Sequence, residues 1–273
     1  MKKSFLNLGI HLFVIIWMLS SCNNSKNMES KRNEINRKSI NDIPTVLWDR
    51  LSNSKIYFGH QSVGSNIISG IEDILKDNQT IRLKIRTYNT NLKEIEPGLY
   101  HEKIGLNKQP ATKIAGFCKS LDSGVGEKMD MAFFKFCYVD FNSSTQVSDL
   151  FKEYKRACDN YTLKYPKLKI IHITVPLRVR TKGLKGMIDI MRGKDQNKKR
   201  CEYNKLLIKG YGTKNVFDLA FFESAYADGT REGEGNVYAL IPEYTDDGGH
   251  LNMQGRKIIA EQLLIFLATY LTD

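Results

Sequence analysis

The chain has 273 residues, 41% hydrophobic and 26% charged, an ordinary globular composition that excludes a disordered chain, a coiled coil or a collagen-like fibre. Its 41 Lys and Arg against 30 Asp and Glu give a net +11, which admits anionic partners without choosing among them. The 5 cysteines show no Cys-x-x-Cys spacing, so a structural zinc site is not expected.

At the N-terminus Lys2 and Lys3 precede an apolar stretch, unbroken over residues 12–19 and too short to span a bilayer comfortably. It stops at Leu19-Ser20-Ser21-Cys22, which resembles the lipobox of bacterial lipoprotein signal peptides. The resemblance implies cleavage before Cys22 and lipid attachment to that residue. It places the mature chain at the cell envelope, anchored to a membrane and facing periplasm or exterior. Nucleic acid then drops away as a partner. Residues 22–43 are polar and charged without apolar period and read as a tether. Pro44, Val46, Leu47 and Trp48 mark entry into one domain over 44–273, with no internal repeat.

Within that domain strand-like and helix-like segments alternate. A short strand over 55–58 runs into Gly59, and Val63, Ile67, Ile71 and Ile74 then recur at helical spacing. Residues 81–85 alternate as a half-exposed strand, followed by a long loop. Pro110 opens a helix carrying Ile114, Phe117 and Leu121. Residues 131–139 form a nearly continuous apolar run, expected for a strand covered on both faces. A helix over 146–163, a strand over 170–175, a helix over 197–211, a strand at 216–217 and a helix over 253–271 complete the pattern. Five strands with intervening helices predict a three-layer, doubly wound α/β fold around a five-stranded parallel sheet. Ligands of such sheets bind outside the carboxyl ends of the strands.

The polar residues at those ends are therefore informative. The first strand ends in Gly59-His60-Gln61-Ser62, the third in Cys137-Tyr138-Val139-Asp140-Phe141-Asn142, and Asp246-Asp247-Gly248-Gly249-His250 precedes the last helix. A serine hydroxyl becomes a useful nucleophile when a histidine takes its proton and a carboxylate fixes that histidine's tautomer. Ser62 at a strand-to-helix turn also gains from free N–H groups at the helix start. Simpler readings coexist: Ser62 as an N-cap, Asp246 in place of Asp247, or Asp247 and His250 as caps of the last helix. His60, His101 and His172 read as structural histidines. Gly59 to Gly64 lacks the Lys-Ser/Thr of a phosphate loop, and no Gly-x-Gly-x-x-Gly follows the first strand. Cys118, Cys137, Cys158 and Cys201 carry no spacing that fixes a pairing.

With Ser62 on the first turn and Asp247-x-x-His250 before the last helix, the sequence resembles the SGNH (GDSL-type) hydrolase superfamily. The resemblance implies a flavodoxin-like SGNH fold, a Ser62–His250–Asp247 triad, and neither cofactor nor metal. Gly105, in Ile104-Gly105-Leu106-Asn107 after the second predicted strand, matches the family's glycine oxyanion donor. The asparagine block is altered, with Val139 where Asn is expected, leaving Asn107 or Asn142 to supply the amide. The implied activity is hydrolysis of acyl esters, acetyl first, on a carbohydrate or another small ester substrate. The alternatives are an O-acyltransferase on an envelope glycan and a non-catalytic glycan-binding lipoprotein. Residues 177–200 carry nine basic side chains against Asp189 and Asp195. This connector reads either as a solvated loop or as a lid that selects acidic acylated polymers or anionic lipid surfaces.

Overall fold

The computed structural model describes residues 37–90, 94–181, 183 and 195–271. The apolar leader, Cys22, the tether as far as residue 36, and connector residues 182 and 184–194 lie outside the described residues. Residues Arg37–Ala225 and Arg231–Asp273 cluster as one compact unit.

The fold is α/β. Strands β1 (Lys55–His60), β2 (Ile85–Thr87), β3 (Gly98–Lys103), β4 (Met131–Phe134) and β5 (Lys169–Ile170) form a parallel sheet in the order β2-β3-β1-β4-β5. One face carries α1 (Thr45–Ser52), α2 (Ser62–Asp77) and α7 (Met253–Tyr270), with α7 packed on both others. The other carries α3 (Pro110–Ser120), α4 (Val147–Lys164) and α5 (Gln196–Tyr211), with α4 packed between its neighbours. A short α6 (Leu219–Ser224) packs against α7.

The expected five-stranded parallel sheet is present, but its membership differs from the sequence reading. β3, in the stretch expected to be loop, pairs with β1 along its whole length. Its apolar half, Leu99 and Tyr100, is buried while His101 and Glu102 reach the polar edge, so the segment lacks an even period. Ile81 and Leu83 are buried without pairing, and β2 covers only the end of that segment. The 170–175 strand is interrupted at Ile171, after which β6 (His172–Ile173) pairs with β7 (Val216–Phe217) outside the main sheet. β4 ends at Phe134, so residues 135–139 leave the sheet earlier than the apolar run suggests.

Both faces of β1 are buried, with Tyr57 packed on Phe117 of α3 and Ile56 and Phe58 on the opposite face. In α2, Val63, Ile67, Ile71 and Ile74 form one buried stripe, each contributing about 1.5–3 kcal/mol of burial. The helix ends at Asn78, whose amide donates to the Ile74 carbonyl at 2.9 Å. α2 and α7 cross closely at Gly70, where a Cβ would stand 2.3 Å from the Arg256 carbonyl oxygen. Arg256 pairs with Asp73 at 2.6 Å beside that crossing. At the other end, Ile43 is buried, Ser39 caps a turn over Ile40–Asp42, and the Lys38 carbonyl accepts from Gln262 at 2.9 Å. The end of the predicted tether thus lies against α7. Among the described residues no helix is long and apolar enough to cross a membrane.

Candidate active site

β1 pairs with β3 on one side and β4 on the other. The chain runs from β1 to β2 and β3 on the first side and then crosses to β4 and β5, making the end of β1 the switch point of the sheet. Ser62 stands there as the first residue of α2. The N-cap is Gln61, in extended conformation, whose side chain caps nothing and instead donates to the carbonyls of Ile104 and Gly105 at 3.0 and 2.8 Å. The N-cap reading of Ser62 therefore fails. Its hydroxyl lies 2.9 Å from His250 Nε2.

Asp247 and His250 share a turn closed by an antiparallel bridge between Thr245 and Leu251. Asp247 Oδ1 accepts from the backbone N–H groups of Gly249 and His250 at 2.9 and 2.8 Å. That leaves Oδ2 for His250 Nδ1, 2.5 Å away. With Nδ1 donating to the carboxylate, Nε2 presents its lone pair to the Ser62 hydroxyl. The His250 bond and the two backbone donors hold the Asp247 carboxyl well below the usual carboxylate range, so it stays ionised. Asp246 does not compete; it accepts from Asn252, the N-cap of α7, at 3.2 Å. Both relay side chains are open to solvent, 55% exposed for Asp247 and 41% for His250.

Three supports of this relay were not singled out from sequence. Asn66, one turn beyond Ser62 on α2, accepts from the Leu251 N–H at 3.2 Å and ties the turn carrying His250 to the helix carrying Ser62. Arg178 Nε and the Val179 N–H donate to the Gly248 carbonyl at 3.3 and 3.1 Å. Tyr138 packs edge-on against His250, with ring centroids 5.7 Å apart. Helical spacing would have found Asn66, since i and i+4 share a face. Nothing in the sequence marks Arg178 from the other basic residues around it.

The remaining expected residues are placed as follows. Gly105 takes φ +62°, and a Cβ there would meet the Lys113 backbone at 2.6 Å. It follows β3, the third strand rather than the second. The Asn107 side-chain oxygen accepts from Lys113 Nζ at 3.3 Å. Asn142 is exposed and closes its own turn, accepting from Ser144 N and Oγ at 2.9 and 2.6 Å; its recorded bonds do not reach the relay. Asp140 is fully buried, paired with Lys113 at 2.6 Å and accepting from the N–H groups of Cys137 and Lys108.

His60 donates from Nδ1 to the Gln61 carbonyl and accepts at Nε2 from His101, 3.0 Å away. Burial lowers it to about 4, so it is neutral structure beside Ser62. His172 bonds Tyr154 at 2.8 Å, and burial lowers it to about 3. Cys118, Cys137, Cys158 and Cys201 are free thiols. Within the basic connector, Arg180 pairs with Glu234 and Arg200 is buried, so part of its charge is used inside the fold. Among the described residues no three His, Cys, Asp or Glu side chains cluster as metal ligands would. A cavity of about 430 Å³ at the N-terminal strand edge, lined by Ser52, Arg82 and Glu96, contains none of the relay residues.

No family model and no curated protein matches the chain. Solved structures do align. A G-D-S-L-family protein from Desulfitobacterium hafniense is 13% identical over 78% of this chain and 99% of its own, with a TM-score of 0.42. An acetyl xylan esterase is 16% identical over 76% of this chain and 96% of its own, with a TM-score of 0.45. A GDSL-like protein from Parabacteroides merdae is 12% identical over 80% and 97%, with a TM-score of 0.46. At such identities the likeness concerns the fold alone.

Proposed function

We propose that this chain is a serine esterase of the SGNH type, in which Ser62 attacks an acyl ester, His250 moves the proton and Asp247 orients the histidine. One observation carries the reading: the continuous relay from Ser62 Oγ to His250 Nε2 at 2.9 Å and from Nδ1 to Asp247 at 2.5 Å. As Oγ bonds to the ester carbon, its proton passes to Nε2, and the Asp247 carboxylate stabilises the imidazolium. His250 then gives that proton to the leaving oxygen, and an acyl-enzyme remains on Ser62. Water activated by the same nitrogen releases the acid. The N–H groups opening α2 face the place where negative charge develops.

An acetyl ester on a carbohydrate is the proposed substrate. The exposure of Asp247 and His250 favours a long or branched alcohol part over a small enclosed ligand. An intact relay has no use in a protein that only binds glycan, which favours catalysis. If a glycan hydroxyl replaces water at the second step, the same site acts as an acyltransferase, and the identity of the acyl acceptor distinguishes the two. The Leu19-Ser20-Ser21-Cys22 motif supports a lipid anchor on Cys22 and a place at the bacterial envelope.

A fluorophosphonate probe tests the reading: it is expected to label the wild type at Ser62 and leave Ser62→Ala unlabelled. Labelling that survives in Ser62→Ala overturns the assignment. Incorporation of a radiolabelled fatty acid, abolished by Cys22→Ala, tests the anchor.

A further inference from the structure

Tyr138 touches the relay without belonging to it. Its hydroxyl stands 3.4 Å from His250 Nε2 and 3.5 Å from Nδ1, at the outer limit of a hydrogen bond. Both nitrogens have closer partners in Ser62 and Asp247. The phenol proton is therefore not committed to a strong acceptor.

Its position, by contrast, is fixed from several sides. Arg200 Nε donates to the Tyr138 carbonyl at 2.9 Å. The Arg178 and Arg200 guanidinium groups lie 5.4 and 6.0 Å from the ring centroid. Gly249 is so close that a Cβ there would stand 2.7 Å from the ring. The turn presenting Tyr138 is pinned by Asp140, which accepts from the Cys137 N–H at 2.7 Å and pairs with Lys113. A donor held this firmly, yet weakly bonded, is preorganised for a partner that arrives later.

The reaction supplies such a partner. When Ser62 Oγ bonds to the ester carbon, the carbonyl π pair moves onto oxygen and leaves an oxyanion beside Oγ and Nε2. The Ser62 N–H at the start of α2 offers one donor. The Asn107 and Asn142 side-chain oxygens accept from Lys113 and Ser144, and among the described residues no recorded bond brings either side chain to Ser62 or His250. We propose that Tyr138 is a catalytic residue whose hydroxyl donates a hydrogen bond to the substrate carbonyl oxygen as it becomes the oxyanion. The inference rests on the serine-esterase reading. When the intermediate collapses, the pair returns to the C=O bond, the leaving oxygen takes its proton from His250, and Tyr138 keeps its own. Burial, with the Asp247 charge, holds the phenol above its ordinary value, so it remains a donor.

The test uses the full-length chain and Tyr138→Phe, which keeps the ring on Gly249 and beneath both arginines and removes only the hydroxyl. The expected result is a kcat about 10²–10³-fold lower on 4-nitrophenyl acetate, with KM and Tm nearly kept. The same factor is expected on an alkyl acetate, with a parallel loss of affinity for a boronic acid that forms a tetrahedral adduct on Ser62. Undiminished kcat and boronate affinity in Tyr138→Phe overturn the assignment. A loss confined to the alkyl ester also overturns it, because the hydroxyl then serves the leaving oxygen. Ser62→Ala and the fluorophosphonate, run alongside, separate the two failures. A wild type that neither labels nor hydrolyses removes the esterase reading and Tyr138 with it; a reactive wild type with an unaffected Tyr138→Phe removes Tyr138 alone.

Discussion

Two sets of ionisable groups lie near the carboxyl edge of the sheet and are treated in opposite ways. Asp247 and His250 keep about half of their side-chain surface in solvent. Lys113, Lys135, Asp140, Arg200 and Glu223 are each within 2% of complete burial. The exposed set is aligned by short local bonds within one turn, so water can reach it without disturbing its geometry. The buried set acts where water cannot screen, and each member must find a partner or change its charge. Lys113 and Asp140 have one another. Among the described residues Lys135 bonds only the Phe136 carbonyl, at 3.2 Å, and Glu223 Oε1 has no hydrogen-bond partner. Burial accordingly pushes Glu223 up to about 8 and Lys135 down. The proposed reactivity is thus placed at the surface, and the energetic risk is taken underneath.

If the exposed set is the machinery, its removal changes rate and spares stability. Ser62→Ala and His250→Ala are expected to lower turnover of an aryl acetate roughly 10³-fold or more, with Tm nearly unchanged. Asp247→Asn follows closely, because it presents the wrong tautomer to Ser62. If the buried set is scaffold, the pattern reverses. Lys113→Met strands the Asp140 charge and should cost about 3–5 kcal/mol, read as a fall in Tm of about 2–4 °C per kcal/mol. A Lys113→Met protein as stable as wild type would mean that the pair is dispensable.

Gly249→Ala lies on the boundary between the sets. Its Cβ must displace the Tyr138 ring, so kcat should fall about 10–100-fold while Tm changes little. Loss of stability without loss of rate would place Gly249 with the scaffold.

The histidines extend the comparison to pH. His60 and His172 are held neutral, at about 4 and about 3, against about 6.5 in an unfolded chain. Their contribution is complete above pH 6.5 and is lost as pH falls toward those folded values, because the unfolded chain binds protons first. Denaturant titrations at pH 7, 5 and 4 should show this decline, and His172→Gln should flatten it. The smallest effect is expected from Asp246→Asn, with turnover within about two-fold of wild type. A large loss there would move the orienting carboxylate by one residue.

The sequence made the exposed set legible and concealed the buried one. Ser62 and the Asp247-x-x-His250 turn stand where parallel strands end, and the chemistry requires those residue types together. Lys113 and Lys135 look like solvated charges, because a sequence does not display the partner or pocket that allows burial. β3 was hidden because its second half is polar where it reaches the site edge. Tyr138 stands at the end of the apolar run, but the missing amide at Val139 points to asparagines rather than to a phenol. Asn66 resembled any polar residue on an amphipathic helix until α7 and its preceding turn were seen against it.

The bond from Asn66 to the Leu251 N–H also bears on how the molecule is assembled. It joins the start of α2 to a turn that sits immediately before the last helix, across a separation of 185 residues. Closing so long a loop is slow relative to forming local helices and adjacent strands. A refolding chain can therefore regain its sheet and most of its circular dichroism while Ser62 still lacks its base. Docking of α7 at Gly70 completes the histidine's support, so recovery of ester hydrolysis should lag the recovery of secondary structure and serve as a clock for that final step.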